Sequence, residues 1–167
     1  MIRLVIADDH AVLRQGLISL LKECTDIDIV GDVADGDAAL ALVKAERPDV
    51  IVLDISMPGP GIIRLLKEFD EHVPDMKSLI LSTHAEDQYA VRALRAGADG
   101  YLTKERSGDE LATAVRHVAS GRKFISPELA EHLASSLGDR QHEHAARAAV
   151  GPGVPGVRAA GPRPAGQ

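Results

Sequence analysis

Four times along the chain an apolar stretch runs into residues that can do chemistry. Ile2–Ala7 leads to Asp8 and Asp9, and Val50-Ile51-Val52-Leu53 to Asp54. Leu79-Ile80-Leu81 leads to Ser82 and Thr83, and Gly100-Tyr101-Leu102 to Thr103 and Lys104. Three carboxylates gathered in one place repel unless a cation lies among them, and hard oxygen ligands with room for waters suit Mg²⁺. A lysine and a hydroxyl beside them could hold a phosphoryl group. Carboxylate nucleophile, metal and ammonium together are what aspartyl-phosphate chemistry requires. Singly, each signal has a plainer reading. An aspartate after a strand is often a turn former or helix cap, and the set could be an acidic surface with unrelated caps.

The intervening elements decide whether these residues can meet. Val50–Leu53 is apolar throughout, as expected of a strand buried on both faces of a parallel sheet. Met57-Pro58-Gly59 then breaks the chain into a loop. Leu13, Leu17, Leu20 and Leu21 recur at helical spacing, predicting an amphipathic helix from His10 to about Glu23. Ile27–Val33 alternates as a strand, and Asp35 caps a helix that must end before Pro48. Gly61–Phe69 carries Ile62, Leu65, Leu66 and Phe69 on one stripe. Glu86–Ala96 is a helix stopped by Gly97. Ser107 and Glu110 read as a capping box for a helix continued by Leu111, Ala114, Val115 and Val118. Strand and helix alternate five times, which predicts an α/β doubly wound parallel sheet with helices on both faces. In such sheets ligand chemistry sits beyond the carboxyl ends of the strands, where all four polar sets fall.

Composition narrows the class. With 167 residues, 2% aromatics and no Trp, the core must be aliphatic. A formal net charge of −6 argues against general affinity for nucleic acid or anionic membrane. The last 28 residues carry Arg140, Arg147, Arg158 and Arg163 against Glu143, so +3, leaving −9 for the first 139. The single cysteine, Cys24, excludes an intrachain disulfide and fits a reducing cytoplasm; in the helical stretch before Thr25 it reads as a small buried apolar residue. Neither a signal peptide nor an apolar run of membrane-spanning length is present.

Asp8-Asp9-His10, Leu53-Asp54 with Met57-Pro58-Gly59, Leu81-Ser82-Thr83-His84 and Ala96-Gly97-Ala98-Asp99-Gly100-Tyr101-Leu102-Thr103-Lys104 resemble a response-regulator receiver domain. The Asp-Asp-His, Leu-Ser-x-His and Gly-Tyr-Leu-x-Lys elements resemble its NarL/FixJ (LuxR-type) subfamily in particular. The resemblance covers about residues 1–120 and implies a flavodoxin-like five-stranded sheet of order 2-1-3-4-5. It implies that Asp54 accepts phosphate from a sensor histidine kinase. It further implies that Asp9, Asp54 and the Ser56 carbonyl bind Mg²⁺ with help from Asp8, and that Lys104 pairs with the phosphoryl oxygens. Ser82 resembles the switch hydroxyl, with Thr83 its competitor. Tyr101 resembles the rotamer-switching aromatic, its plainer reading being core. Phosphorylation-dependent homodimerisation is implied too. Two departures stand out: the loop after Asp54 is a residue shorter than the common Met-Pro-x-x-x-Gly, and Glu105 stands where many receivers have a cis proline.

The expected activity is that of a phosphorylation-controlled switch, with self-phosphorylation and slow loss of phosphate. The alternative from another class, a Mg²⁺-dependent phosphatase with an aspartyl nucleophile, needs a second aspartate two residues on, where Ser56 stands. A nucleotide-binding fold would need a Gly-rich loop after the first strand, which is missing. His84 reads as a rim residue; His132, His142 and His144 lack metal-site spacing.

After the receiver, residues 121–144 are expected to form a linker region, with a helix opened by Ser126-Pro127 and seamed by Leu129, Leu133 and Leu137. Residues 145–167 hold 7 Ala, 5 Gly, 4 Pro and 3 Arg with no Leu or Ile, a composition expected to be disordered. The subfamily's helix-turn-helix is expected to be missing, its frame lost near Ala145, so that no sequence-specific DNA binding follows. Sequencing the coding DNA across Ala145 checks this: a helix-turn-helix in another frame is the expected result, and a sequence-specific footprint from this chain alone would refute it.

Overall fold

The computed structural model describes residues 1–83, 87–127, 129–131 and 133–135. Strands β1 (Ile2–Ala7), β2 (Ile27–Val33), β3 (Val50–Asp54), β4 (Lys77–Ser82) and β5 (Gly100–Thr103) alternate with helices α1 (Ala11–Lys22), α2 (Gly36–Glu46), α3 (Ile62–His72), α4 (Asp87–Arg95) and α5 (Ser107–Ala119). All pairings are parallel, in the order β2-β1-β3-β4-β5. The expected doubly wound sheet and its strand order are therefore both found.

Alternation along the strands divides the core. Leu4, Ile6, Val50, Val52, Leu79 and Leu81 pack with Leu17, Ile18 and Leu21 of α1 and Leu111, Val115 and Val118 of α5. The opposite sheet face carries the row α2, α3 and α4, which pack in sequence. Central β3 is fully buried, as its unbroken apolar run requires.

Local signals explain most boundaries. The Asp35 carboxylate accepts the Ala38 N–H at 2.8 Å and caps α2. Gly97 takes a φ of +115°, while the Ala98 N–H donates to Ala93 and the Gly97 N–H to Leu94, a Schellman ending to α4. Gly59, at φ +114°, turns the short loop after β3, and the Gly36 N–H donates to the Pro58 carbonyl at 3.0 Å, tying that loop to the start of α2.

Three expectations are corrected. The Ser107–Glu110 capping box does not form. A 3₁₀ turn over Lys104–Arg106 runs straight into α5, so Ser107 is already helical, and its hydroxyl donates to the Lys104 carbonyl at 2.7 Å. Cys24 lies just beyond α1 and is only partly buried against the core, because α1 ends at Lys22. Helix α3 runs a turn past Phe69 to His72, its stripe still burying Leu65, Leu66 and Phe69.

Phe124 was not anticipated. Its carbonyl accepts the Tyr101 N–H at 2.9 Å and its N–H donates to Asp99, a one-residue parallel bridge that covers the β5 edge. Ser126 does cap the next helical residues, its hydroxyl accepting the Leu129 N–H at 3.1 Å. Residues Met1–Leu129 form one compact unit; of the second, Ala130–Gln167, residues 130, 131 and 133–135 are described and helical. Leu137, His84, His132, His142, His144 and the 145–167 tail lie outside the described residues.

Two glycines give a paired stability test. A Cβ on Gly100 would meet Leu79 Cδ1 at 2.8 Å and the Phe124 carbonyl oxygen at 3.1 Å, whereas one on Gly16 in α1 meets nothing within 4 Å. Gly100→Val should lower stability by about 1–3 kcal/mol through overpacking. Gly16→Ala should raise it by about 0.5–1 kcal/mol. Urea midpoints at constant slope check both.

Candidate functional site

Parallel pairing places every strand's carboxyl end on one edge, and register decides who meets whom. Ala7 pairs with Leu53, so Asp8, one residue on, lies beside Asp54. Asp54 pairs with Leu81, and Ser82 pairs with Thr103, which precedes Lys104. Strand β4 lies between β3 and β5, a lateral gap of about 10 Å that a short side chain cannot bridge. The four-carbon stem of lysine does. Lys104 Nζ lies 3.2 Å from Asp54 Oδ2 and 3.3 Å from Asp8 Oδ2.

Asp8 and Asp54 are buried, and Lys104 nearly so. Asp9 is a third exposed and His10 about half exposed, its side chain 55% accessible. Burial pushes the Asp54 carboxyl up. The Ser56 N–H at 3.2 Å and the Lys104 ammonium outweigh it and hold the group below the usual carboxylate value. The Ser56 hydroxyl also donates to Asp54 Oδ1 at 3.1 Å. Asp54 is thus an anion at neutral pH, with its carboxylate oxygens held in place.

The arrangement fits a hard divalent ion. Asp8, Asp9, Asp54 and His10 each bring one ligand atom within 4.8 Å of the others. Asp8 Oδ2 is buried and accepts no hydrogen bond, its Lys104 contact being an ion pair without the alignment of one. A buried acceptor without a donor is what a bound cation would satisfy. Arg14 secures the surrounding backbone: its guanidinium donates to the Asp8 carbonyl and pairs with Asp32 at 2.9 Å.

Of the residues singled out in the sequence, the structure brings Asp8, Asp9, Asp54, Ser56 and Lys104 together. Ser82 is buried at the end of β4, while Thr83 is exposed. Tyr101 is buried beside a cavity of about 260 Å³ that Phe124, Ser126 and Leu129 also line. His10 was legible only as a letter of its motif; its direct adjacency to Asp9 was the signal that it could reach the cluster. The peptide bond before Glu105 is trans, as are all those among the described residues.

Residues 4–116 match the family described as the response regulator receiver domain. The chain belongs to that family. This receiver is 38% identical over 137 residues to the DNA-binding transcriptional activator DevR/DosR of Mycobacterium tuberculosis, covering 82% of this chain and 63% of that one. It is 33% identical over 144 residues to the response regulator GacA of Pseudomonas aeruginosa, covering 86% and 67%. Against the transcriptional regulatory protein DegU of Brevibacillus brevis the identity is 38%, over 79% of this chain and 56% of the relative. The chain therefore spans between 56% and 67% of the length of these three relatives. Among solved structures, a LuxR-family two-component response regulator from Aurantimonas superposes with a TM-score of 0.74 at 31% identity, over 81% of this chain and 97% of that one. The receiver domain of the response regulator NarL from Mycobacterium tuberculosis superposes at 0.69 and 36%, over 72% and 98%. The chain is thus a two-component response-regulator receiver of the NarL/LuxR type, and nothing supports the phosphatase alternative. No helix among the described residues is long and apolar enough to cross a membrane.

The depressed Asp54 value makes a signed prediction. Its stabilising contribution is fully present above the unfolded carboxylate value of about 3.9 and drains away as pH falls through the lower folded-state value. In chelator, stability should fall as pH drops below the unfolded carboxylate value of about 3.9, and Asp54→Asn should flatten part of that fall. Lys104→Met should move the loss to higher pH, since the ammonium helps to hold the carboxyl down. Urea unfolding across this range checks both.

Proposed function

We propose that Asp54 is the phosphoacceptor of this receiver, taking a phosphoryl group from the phosphohistidine of a sensor histidine kinase. The observation that carries this reading is the register-enforced trio of buried Asp54, buried Asp8 and the Lys104 ammonium within 3.3 Å of both. Asp54 attacks through a carboxylate oxygen, the P–N bond to the kinase histidine breaks, and the histidine nitrogen leaves with its electron pair. Lys104 stabilises the charge on the phosphoryl oxygens. Asp8, Asp9, Asp54 and the Ser56 carbonyl would hold Mg²⁺, which when bound neutralises the charge gathered by carboxylates and phosphoryl oxygens.

Ser82 is the switch hydroxyl in this reading. It is buried at the right edge and paired with Thr103, whereas Thr83 faces solvent. Drawing Ser82 toward the phosphoryl group would shift the β4–β5 end and the packing of Tyr101, remodelling the α4 face. The protein is then a switch with self-dephosphorylation, not a turnover enzyme. It works in the cytoplasm, with homodimerisation and, as the relatives' names suggest, regulation of transcription as its outputs. The bounds in this reading are residues 1–120 for the receiver, 121–144 for the linker region and 145–167 for the Ala/Gly/Pro/Arg tail; the family match over 4–116 supports the first of these.

Acetyl phosphate with Mg²⁺ should add one phosphoryl mass to the intact chain. Asp54→Asn should abolish that gain and Asp9→Ala should reduce it at least tenfold, as a lost metal ligand requires. Undiminished labelling of Asp54→Asn overturns the assignment. Beryllofluoride-treated protein should sediment as a heavier species than untreated protein, and an unchanged coefficient at micromolar concentration would count against dimerisation.

A further inference from the structure

Resting on the metal site proposed above, one neighbour of that site has no place in the reading so far. His10 is the N-cap residue of α1, yet its side chain makes no capping hydrogen bond. The imidazole turns instead into the acidic cluster. Its Nδ1 lies 3.1 Å from Asp8 Oδ1, 3.2 Å from Asp9 Oδ1 and 3.7 Å from Asp54 Oδ2, and 3.0 Å from Lys104 Nζ.

No state of the ring satisfies all four neighbours. With a proton on Nδ1, the N–H faces the Lys104 ammonium at 3.0 Å; without one, the lone pair faces two carboxylate oxygens at 3.1 and 3.2 Å. A divalent ion among them resolves the conflict, because the lone pair and the carboxylates then point at the same positive charge. The separations agree. Adjacent ligands of an octahedral ion with bonds of about 2.1 Å lie about 3 Å apart, the spacing from Nδ1 to Asp8 and Asp9. The buried Asp8 Oδ2, which pairs with Lys104 at 3.3 Å but accepts no hydrogen bond, is an independent acceptor that a further cation would satisfy.

We propose that His10 Nδ1 is a fourth protein side-chain ligand of this site, and that it turns the site's preference from Mg²⁺ toward divalent ions that favour imidazole. Carboxylates and carbonyls alone suit Mg²⁺, whereas an imidazole nitrogen adds most for ions later in the Irving–Williams order, such as Co²⁺ and Ni²⁺. Lys104 Nζ moves off the imidazole when the ion enters and keeps its contact with Asp54.

The test uses the untagged full chain with Co²⁺ or Mg²⁺ alone. Calorimetric titration of His10→Ala should show about tenfold weaker Co²⁺ binding than wild type, with Mg²⁺ binding within about twofold. Proton NMR of the Co²⁺-loaded wild type should show a strongly shifted, exchangeable imidazole N–H resonance, the free Nε2–H of a ring bound through Nδ1. His10→Ala should lose it. The half-exposed side chain makes the variant tolerable, and a matching thermal transition confirms its folding. Unchanged or tighter Co²⁺ binding in His10→Ala, or no such resonance in the loaded wild type, overturns the ligand assignment and leaves the carboxylate site standing. Wild-type affinity for both ions in Asp9→Ala and Asp54→Asn would overturn the site itself, and the His10 proposal with it.

Discussion

Among the described residues, Lys104 is the one lysine or arginine paired with both buried carboxylates, Asp8 and Asp54, and the receiver edge depends on it. Two anions beside each other on adjacent strands would repel by several kcal/mol in a partly desolvated setting. The sheet cannot separate them, because the Ala7–Leu53 pairing that makes the core also fixes Asp8 beside Asp54. Only charge placed between them can. Lysine brings it from two strands away on a stem long enough to span β4, and its compact ammonium contacts both carboxylates at 3.2 and 3.3 Å. The compensation is incomplete, since Asp8 Oδ2 is left without a hydrogen bond and Asp9, among the described residues, without an ammonium of its own. A site poised in this way has an electrostatic reason to take up a further cation.

The opposite edge shows what aspartate does when structure alone is at stake. Asp49, just before β3, accepts the Arg3 N–H at 2.8 Å, and Asp99, before β5, accepts the Ser78 N–H at 3.0 Å. Each satisfies an N–H in the first two residues of a neighbouring strand and remains where water can reach it. The contrast gives the acidic residues of this chain two meanings. At the amino ends of the strands they close backbone hydrogen bonds. At the carboxyl ends of β1 and β3, Asp8 and Asp54 are buried and crowded, and costly to keep unless they do chemistry.

Most of this arrangement was legible because it follows from period and punctuation. Unbroken apolar runs marked β1, β3 and β4, and the helical stripes of α1, α3 and α5 fixed which faces they bury. Parallel alternation then sent Asp8, Asp54, Ser82 and Lys104 to one edge before any distance was known. What the sequence concealed depends on single contacts. The Ser107–Glu110 spacing fits a capping box, but the 3₁₀ turn ahead of it had already supplied a helical lead-in, so the hydroxyl went to the Lys104 carbonyl instead. Phe124 belongs to no periodic run, and its bridge to Gly100 exists because β5 is an edge with an unpaired N–H to cover. His10 reads as a helix start and is one, and the rotation of its ring toward Asp8 is a contact that the helical period does not show.

The Phe124 bridge also bears on how far a change at the site can travel. Ser82 pairs with Thr103, Tyr101 pairs with Ile80, and the Tyr101 N–H is held by the Phe124 carbonyl. Gly100 leaves no slack there, because Leu79 and Val118 already crowd the place a Cβ would take. The β4–β5 end is thus closely packed and tied to residue 124. Beyond Phe124, Ser126 and Leu129 line the cavity beside Tyr101, and the Ser126 hydroxyl accepts the Leu129 N–H. Close packing at Gly100 and an open cavity lined by Tyr101 thus adjoin along β5.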